Sequence, residues 1–251
     1  METSFWLYIV VGFLAQMIDG ALGMAYGVSS NTFLLSLGIP PAAASASVHM
    51  AEVMTTGISG FSHWKLGNVN WNLVKRLLIP GVIGGVAGAY LLTAFDGDII
   101  KPYISAYLLI MGVVIIVKAF NMKKKHNEDE YHGPRISLLG LVGGFCDAIG
   151  GGGWGPVVTT TLVARGKHPR LTIGSVNFSE FFVTFAESVT FVLALNFFEY
   201  WQIILGLLIG GAVAAPFAAM MARKLPMKAL MIFVGVLIIL LSIRTIYLSL
   251  I

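Results

Sequence analysis

Five carboxyl side chains, Asp19, Glu52, Asp147, Glu180 and Glu187, stand inside stretches of sequence that are otherwise apolar. Acids in such surroundings are the groups that take up a proton when water is excluded and release it when water returns. In the first half of the chain His49, Glu52, Thr56 and Ser59 are spaced by three, four and three residues, which puts them on one face of a helix. The positions 128 residues further on hold Asn177, Glu180, Thr184 and Glu187. Two polar faces on apolar helices are expected to point inward, towards each other or a shared cavity. Glu52 and Glu180 are repeat-related and have no basic partner evident in sequence, so they are the candidate proton-coupling groups. The hydroxyls of Thr56, Ser59 and Thr184 are expected to bond back to their own helices.

The second kind of chemistry is carried by backbone. Residues 150–156 read GGGGWGP, and their counterpart at 20–27 is the looser GALGMAYG. Successive glycines let the chain turn with positive φ and bring bare N–H groups close to a ligand, while a proline suits the first turn of a helix. A helix starting at Pro156 would aim its positive dipole end at the glycine loop, which is an anion site. The candidate substrate contacts are therefore Gly151, Gly152, Gly153, Trp154 and Gly155, with Gly23, Met24, Tyr26 and Gly27 from the first copy, joined by His49, Ser175 and Asn177. Asp19 and Asp147 each precede a glycine run by a few residues, where a carboxylate can cap N–H groups and hold the loop. Gly84, Gly85, Gly88, Gly210 and Gly211 are read as close helix packing.

The elements that must position these groups follow from a repeat. Gly12, Asp19, Gly27, Pro41, Ser47, Glu52, Thr56 and Asn68 recur, without a gap, as Gly140, Asp147, Gly155, Pro169, Ser175, Glu180, Thr184 and Asn196. Hydrophobic residues make up 57% of the 251 and charged residues 11%, too few to clothe a soluble domain. Apolar runs at about 72–95, 102–120, 198–222 and 226–250 are long enough to cross a hydrocarbon core. The chain reads as an all-α integral membrane protein of two homologous four-segment halves, 1–120 and 136–251, joined by a hydrophilic linker at 121–135. In each half a glycine-interrupted segment (5–37, 136–165) precedes a small-residue and polar one (42–62, 170–195) and two long apolar ones. The net charge of +4 comes from Lys and Arg at segment ends, which reads as a topology signal and not as a nucleic-acid surface. Cys146, the only cysteine, excludes an internal disulfide and argues against a thiolate metal site. No metal or cofactor is called for, and the first apolar segment is expected to be retained as part of the fold.

Whether the glycine-interrupted segments cross or return decides the topology. If both enter and return as hairpins, every basic residue except Lys101 and Arg244 falls on one side of the membrane; if both cross, the charges divide almost evenly. The positive-inside rule prefers the hairpins, and three full crossings per half would invert the second half relative to the first. Trp6, Trp64, Trp71 and Trp201 lie at segment ends, as interfacial indoles do.

Several motifs resemble a known family: GGGWGP, then Gly166, His168, Pro169 and Arg170, then Ile173 to Asn177 (IGSVN), and in the first half residues 38–41 (GIPP) and 67–69 (GNV). The chain resembles the TauE/SafE family of sulfite and organosulfonate transporters over nearly its whole length, with Met24 and Tyr26 departing from a fuller glycine run. That resemblance implies a multi-pass protein of the cell inner membrane that is not an enzyme. It would move small sulfur oxyanions such as sulfite or sulfoacetate; the proton is the expected coupling ion on the separate ground of the carboxyls at membrane depth. Small anion and lipid bilayer are the expected partners, and a homodimer is compatible with this reading. An anion channel is the rival reading. An intramembrane aspartyl protease is a distant one, because Asp147 follows Gly144, Phe145 and Cys146 where such enzymes carry Gly-x-Gly-Asp.

Overall fold

The computed structural model describes residues 5–22, 24–121, 134–165, 167, 169–195, 197–221 and 227–249, and among these there is helix and no strand. The first half comprises α1 (Phe5–Leu22), α2 (Tyr26–Ser36), α3 (Pro41–Lys65), α4 (Trp71–Ala94) and α5 (Gly97–Phe120). The second comprises α6 (Pro134–Gly150), a π-helical turn (Gly155–Thr159) running into α7 (Thr160–Ala164), α8 (Pro169–Ala194), α9 (Trp201–Met221) and α10 (Met227–Ser249). Four helical stretches, Trp71–Ala94, Gly97–Phe120, Leu171–Ala194 and Met231–Ser249, are long and apolar enough to span a bilayer. Most of the hydrophilic stretch between the halves, 122–133, and the second-half turn at Gly166 and His168 lie outside the described residues.

Helix limits follow local chemistry. α4 starts where the Asn70 side chain accepts the N–H of Leu73 at 3.1 Å, and α5 where Asp96 accepts that of Asp98 at 2.9 Å. The second cap explains why α5 begins at Gly97, upstream of the apolar run expected from about 102. α3 carries too many Ser, Thr, His and Glu residues to read as a lipid-facing span, and its inward face is buried from Pro41 to Glu52. Ile79, Ile83, Tyr90, Ile110, Phe182 and Leu193 are exposed on the outside, as side chains facing lipid must be.

Close contacts fix the helix directions. α3 and α8 run antiparallel, since His49 meets Glu187 and Phe191, Gly57 meets Phe181, and Gly60 meets Phe178. α4 turns back along α3, so that Gly97, just past its end, packs on Pro41. α6 runs parallel to α4, with Gly140 on Leu77, Gly144 on Gly81 and Ala148 on Gly88. α6 and α8 therefore point the same way, and residues 155–164 bring the chain back between them: the segment enters and returns. In the first half α1 packs along α9 as α6 packs along α4. These directions gather Lys65, Arg76, Lys118, Arg135 and Arg165 at one end of the bundle and leave Lys101 and Arg244 at the other. The tryptophans pair at opposite ends, Trp64 with Trp71 at 6.5 Å, and Trp6 beside Phe5, whose ring is 6.5 Å from Trp201.

Candidate functional site

The halves touch through backbone at two helix breaks, one between α1 and α2 and one between α6 and the π-helical turn. Gly151 and Gly152 have φ of 63° and 143°, values an L side chain rarely adopts. A Cβ on Gly152 would strike the backbone of Gly27 and Val28, and one on Gly27 would strike Gly151 and Gly152. Each break is held by the carboxylate expected to hold it. Asp19 Oδ1 accepts the N–H of Tyr26 at 3.2 Å, and Asp147 Oδ1 accepts that of Trp154, its repeat counterpart, at 2.8 Å. Ala25 takes a φ of 109° at the N-cap of α2, where the second copy has Gly153.

Beside this crossing lies a cavity of about 320 Å³, a volume suited to a small ligand. Its wall comes from both halves: Gln16 and Asp19 of α1; Met24, Ala25, Tyr26 and Gly27; Glu52, Thr55, Thr56, Ser59 and His63 of α3; Gly152, Gly155 and Pro156; and Ile173, Asn177 and Glu180 of α8. Two helix starts therefore face it, that of α2 at Tyr26 and Gly27 and that of the returning segment at Gly155 and Pro156. The first-turn N–H groups of a helix have no acceptor within it, and the dipole favours negative charge there. Three carboxyls share the same wall: Asp19, Glu52 and Glu180.

Of the expected substrate contacts, Met24, Tyr26, Gly27, Gly152, Gly155 and Asn177 line the cavity, as do both candidate coupling groups, Glu52 and Glu180. Gly23 lies outside the described residues. Gly151 packs on Asn31, whose side-chain amide donates to Gly150 O at 2.6 Å, and Gly153 packs on Asp147 and Tyr107. Trp154 is wholly buried among Leu73, Leu77 and Val158, lies on Gly81, and donates its indole N–H to Val176 O at 3.3 Å. It anchors the break and does not line the cavity. Ser175 accepts the N–H of Asn70 at 2.7 Å and donates to Leu171 O, tying α8 to the start of α4.

His49 also stands away from the cavity. Its Nδ1 is 2.7 Å from Ser45 O, and its Nε2 is 2.8 Å from Glu187 Oε2 and 3.6 Å from Asp147 Oδ2, with all three side chains sealed from solvent. The three could in composition hold a cation. Two ligands about 2.1 Å from a tetrahedral ion stand about 3.4 Å apart, so a 2.8 Å approach is a direct contact and leaves no space for a metal between His49 and Glu187.

Residues not foreseen as contacts complete the wall. His63 lies in the last turn of α3, which continues past the expected end of that segment at 62. Gln16 corresponds to Gly144 in the second copy, so the repeat gave no hint of it. The hydroxyls of Thr55 and Thr56 donate to Glu52 O at 3.1 and 2.6 Å, and Ser59 instead accepts from Asn177 Nδ2 at 2.8 Å. Lys118, near the end of α5, reaches in to donate to Pro156 O at 3.1 Å and to Thr160, meeting a carbonyl that the π-helical turn leaves exposed.

A bundle of membrane-spanning helices in two related halves, with broken segments meeting at a polar cavity, defines a multi-pass membrane transporter. The family model "Sulfite exporter TauE/SafE" matches residues 8–245, and the chain belongs to that family. It is 44% identical over 245 residues to the probable membrane transporter protein YtnM of Bacillus subtilis (strain 168), a match covering 95% of this chain and 81% of that protein. It is also 26% identical over 151 residues to the probable membrane transporter protein ORF9 of Sinorhizobium sp., covering 58% of this chain and 56% of the relative. No solved structure matches the chain significantly. The protein is thus a membrane transporter and not an enzyme.

Proposed function

We propose that the protein is a secondary active transporter of small sulfur oxyanions, sulfite or short organosulfonates such as sulfoacetate, coupled to protons and working by alternating access between its two repeats. One observation carries this reading: two helix starts and three carboxyls share one cavity where the halves meet. The helix ends favour an anion by at most about 2 kcal/mol each. An ionised carboxylate about 4 Å from that anion repels it by about 4 kcal/mol at an effective dielectric of about 20. Three such charges overwhelm two helix ends, so anion binding must bring protons to Asp19, Glu52 or Glu180. Uptake of anion and proton together is coupling.

The antiparallel packing of the repeat-equivalent helices α3 and α8 supports an inverted repeat, the arrangement that gives a carrier two related gates. The basic end of the bundle would face the cytoplasm and the other the outside of the inner membrane. The choice of sulfur over carbon oxyanions rests on the family name. A channel has less support, because the backbones of the two halves are in contact at Gly27 and Gly152, which favours a closed crossing over an open pore. The test is counterflow in proteoliposomes: labelled sulfoacetate or sulfite should exchange saturably, with matched carboxylates competing poorly. Linear, non-saturating flux would overturn the carrier reading, and indifference to sulfonate against carboxylate would overturn the substrate class.

A further inference from the structure

The repeat that relates the two halves also relates the cavity to another place in the molecule. Shifting its wall by 128 residues carries Asp19 to Asp147, Thr56 to Thr184, Ser59 to Glu187 and His63 to Phe191, and carries Ile173 and Asn177 back to Ser45 and His49. Ser45, Asp147, Glu187 and Phe191 all meet His49, Thr184 lies one turn before Glu187 on α8, and each of the six is at most 1% exposed. The contact that spans the cavity wall, Asn177 to Ser59 at 2.8 Å, has as its twin the contact of His49 with Glu187 at 2.8 Å. The phenyl ring of Phe191 closes over the His49 imidazole, centroid to centroid 5.8 Å.

The cluster is polar yet poorly satisfied. Thr184 Oγ1 and Glu187 Oε1 have no hydrogen-bond partner, while His49 Nε2, Glu187 Oε2 and Asp147 Oδ2 meet only one another and without hydrogen-bond alignment. Thr184 differs in this from its twin Thr56, which donates to its own helix. Buried polar atoms are nearly always partnered, so a static core has no use for this set. A chamber that opens to water and ligand in another conformation does.

We propose that Ser45, His49, Asp147, Thr184 and Glu187, stoppered by Phe191, form the second vestibule of the transport path, closed in this conformation. When it opens it receives the same small oxyanion, with His49 as its cationic contact. The contact of His49 with Glu187 and the Phe191 ring are the closed gate, and opening exchanges that carboxylate for the anion. The cavity side has neutral Asn177 and Ser59 in those places and needs no such separation, which fits its being the open side here. The proposal rests on the alternating-access reading.

The experiment uses the full chain carrying Cys146→Ser with either Thr56→Cys or Thr184→Cys, in right-side-out and inverted membrane vesicles, and a membrane-impermeant methanethiosulfonate reagent. Thr56→Cys should react from one face and Thr184→Cys from the opposite face. Adding Phe191→Ala should speed reaction of Thr184→Cys about tenfold while slowing that of Thr56→Cys, as a population shift requires. Reaction of both from the same face overturns the proposal. So does failure of Thr184→Cys to react from either face, with and without Phe191→Ala, in protein that still carries out sulfoacetate counterflow. Loss of counterflow with opposite-face labelling intact would count against the substrate reading and leave the second vestibule standing.

Discussion

Two carboxylates do the same work at the two helix breaks: Asp19 accepts the N–H of Tyr26 and Asp147 accepts that of Trp154, seven residues on in each copy. Their surroundings differ. Asp19 faces the cavity, whereas Asp147 is sealed beside His49 and Glu187. Tyr26 lines the cavity and donates its hydroxyl to Leu207 O at 3.1 Å, while Trp154 lies in an apolar cluster. The repeat has kept the backbone device and let the side chains around it diverge, so that one break faces the cavity and the other a sealed polar cluster.

The largest effects should come from the carboxylates themselves. Asp147→Ala removes a buried cap and leaves His49 with one acid fewer, a loss of about 3–5 kcal/mol that should appear as unfolded or aggregated protein in size-exclusion chromatography. Asp19→Ala should cost about 1 kcal/mol, because water in the cavity can replace the lost acceptor. Equal destabilisation of the two variants would mean that the difference in burial has no energetic weight.

Glycine substitutions sharpen the crossing of the halves. Gly152→Ala places a Cβ against the Gly27 backbone at a φ of 143° and should cost about 3 kcal/mol, read as a lowered Tm. Gly38→Ala, with a φ of 92° and open space around it, bears only the backbone strain of about 1–2 kcal/mol. Smaller still are the two aromatic hydrogen bonds. Tyr26→Phe should lose about 1 kcal/mol of stability, and Trp154→Phe that much for its hydrogen bond besides the cost of the space its larger ring vacates. Only Tyr26→Phe should also change the KM for substrate, since only Tyr26 lines the cavity.

Much of this was legible from the spacing of residues. The place of each acid a few residues before its glycine run foretold the caps, and the helical stripe carrying Glu52 and Glu180 put both on the cavity wall. The charge distribution favoured hairpins over full crossings, and in the second half residues 155–164 run back between α6 and α8. The misplaced residues have physical reasons. Helical periodicity selects a face but not which stretch of it opens, so His49 was expected at the cavity where His63, on the same helix, stands. Trp154 was read from its glycine neighbours, but its position depends on Gly81 and Gly143, distant in sequence, which leave room for its ring. Lys118 looked like a charge at a segment end; its inward reach depends on a carbonyl exposed by a π-helical turn that periodicity does not reveal.

On the proposed mechanism anion and proton bind together, because Glu52 and Glu180 share the cavity with the anion. The direct measurement is sulfoacetate affinity as a function of pH for the unaltered protein, Glu52→Gln and Glu180→Gln, each checked for folding. In the unaltered protein affinity should fall as pH rises, because ionising carboxyls repel the anion, with a limiting slope of about one logarithmic unit per pH unit for each proton taken up. Each Gln variant mimics the protonated acid, so it should keep high affinity at raised pH and lose much of that slope. If both variants fold, bind sulfoacetate and retain the full slope, these glutamates do not couple the anion to protons.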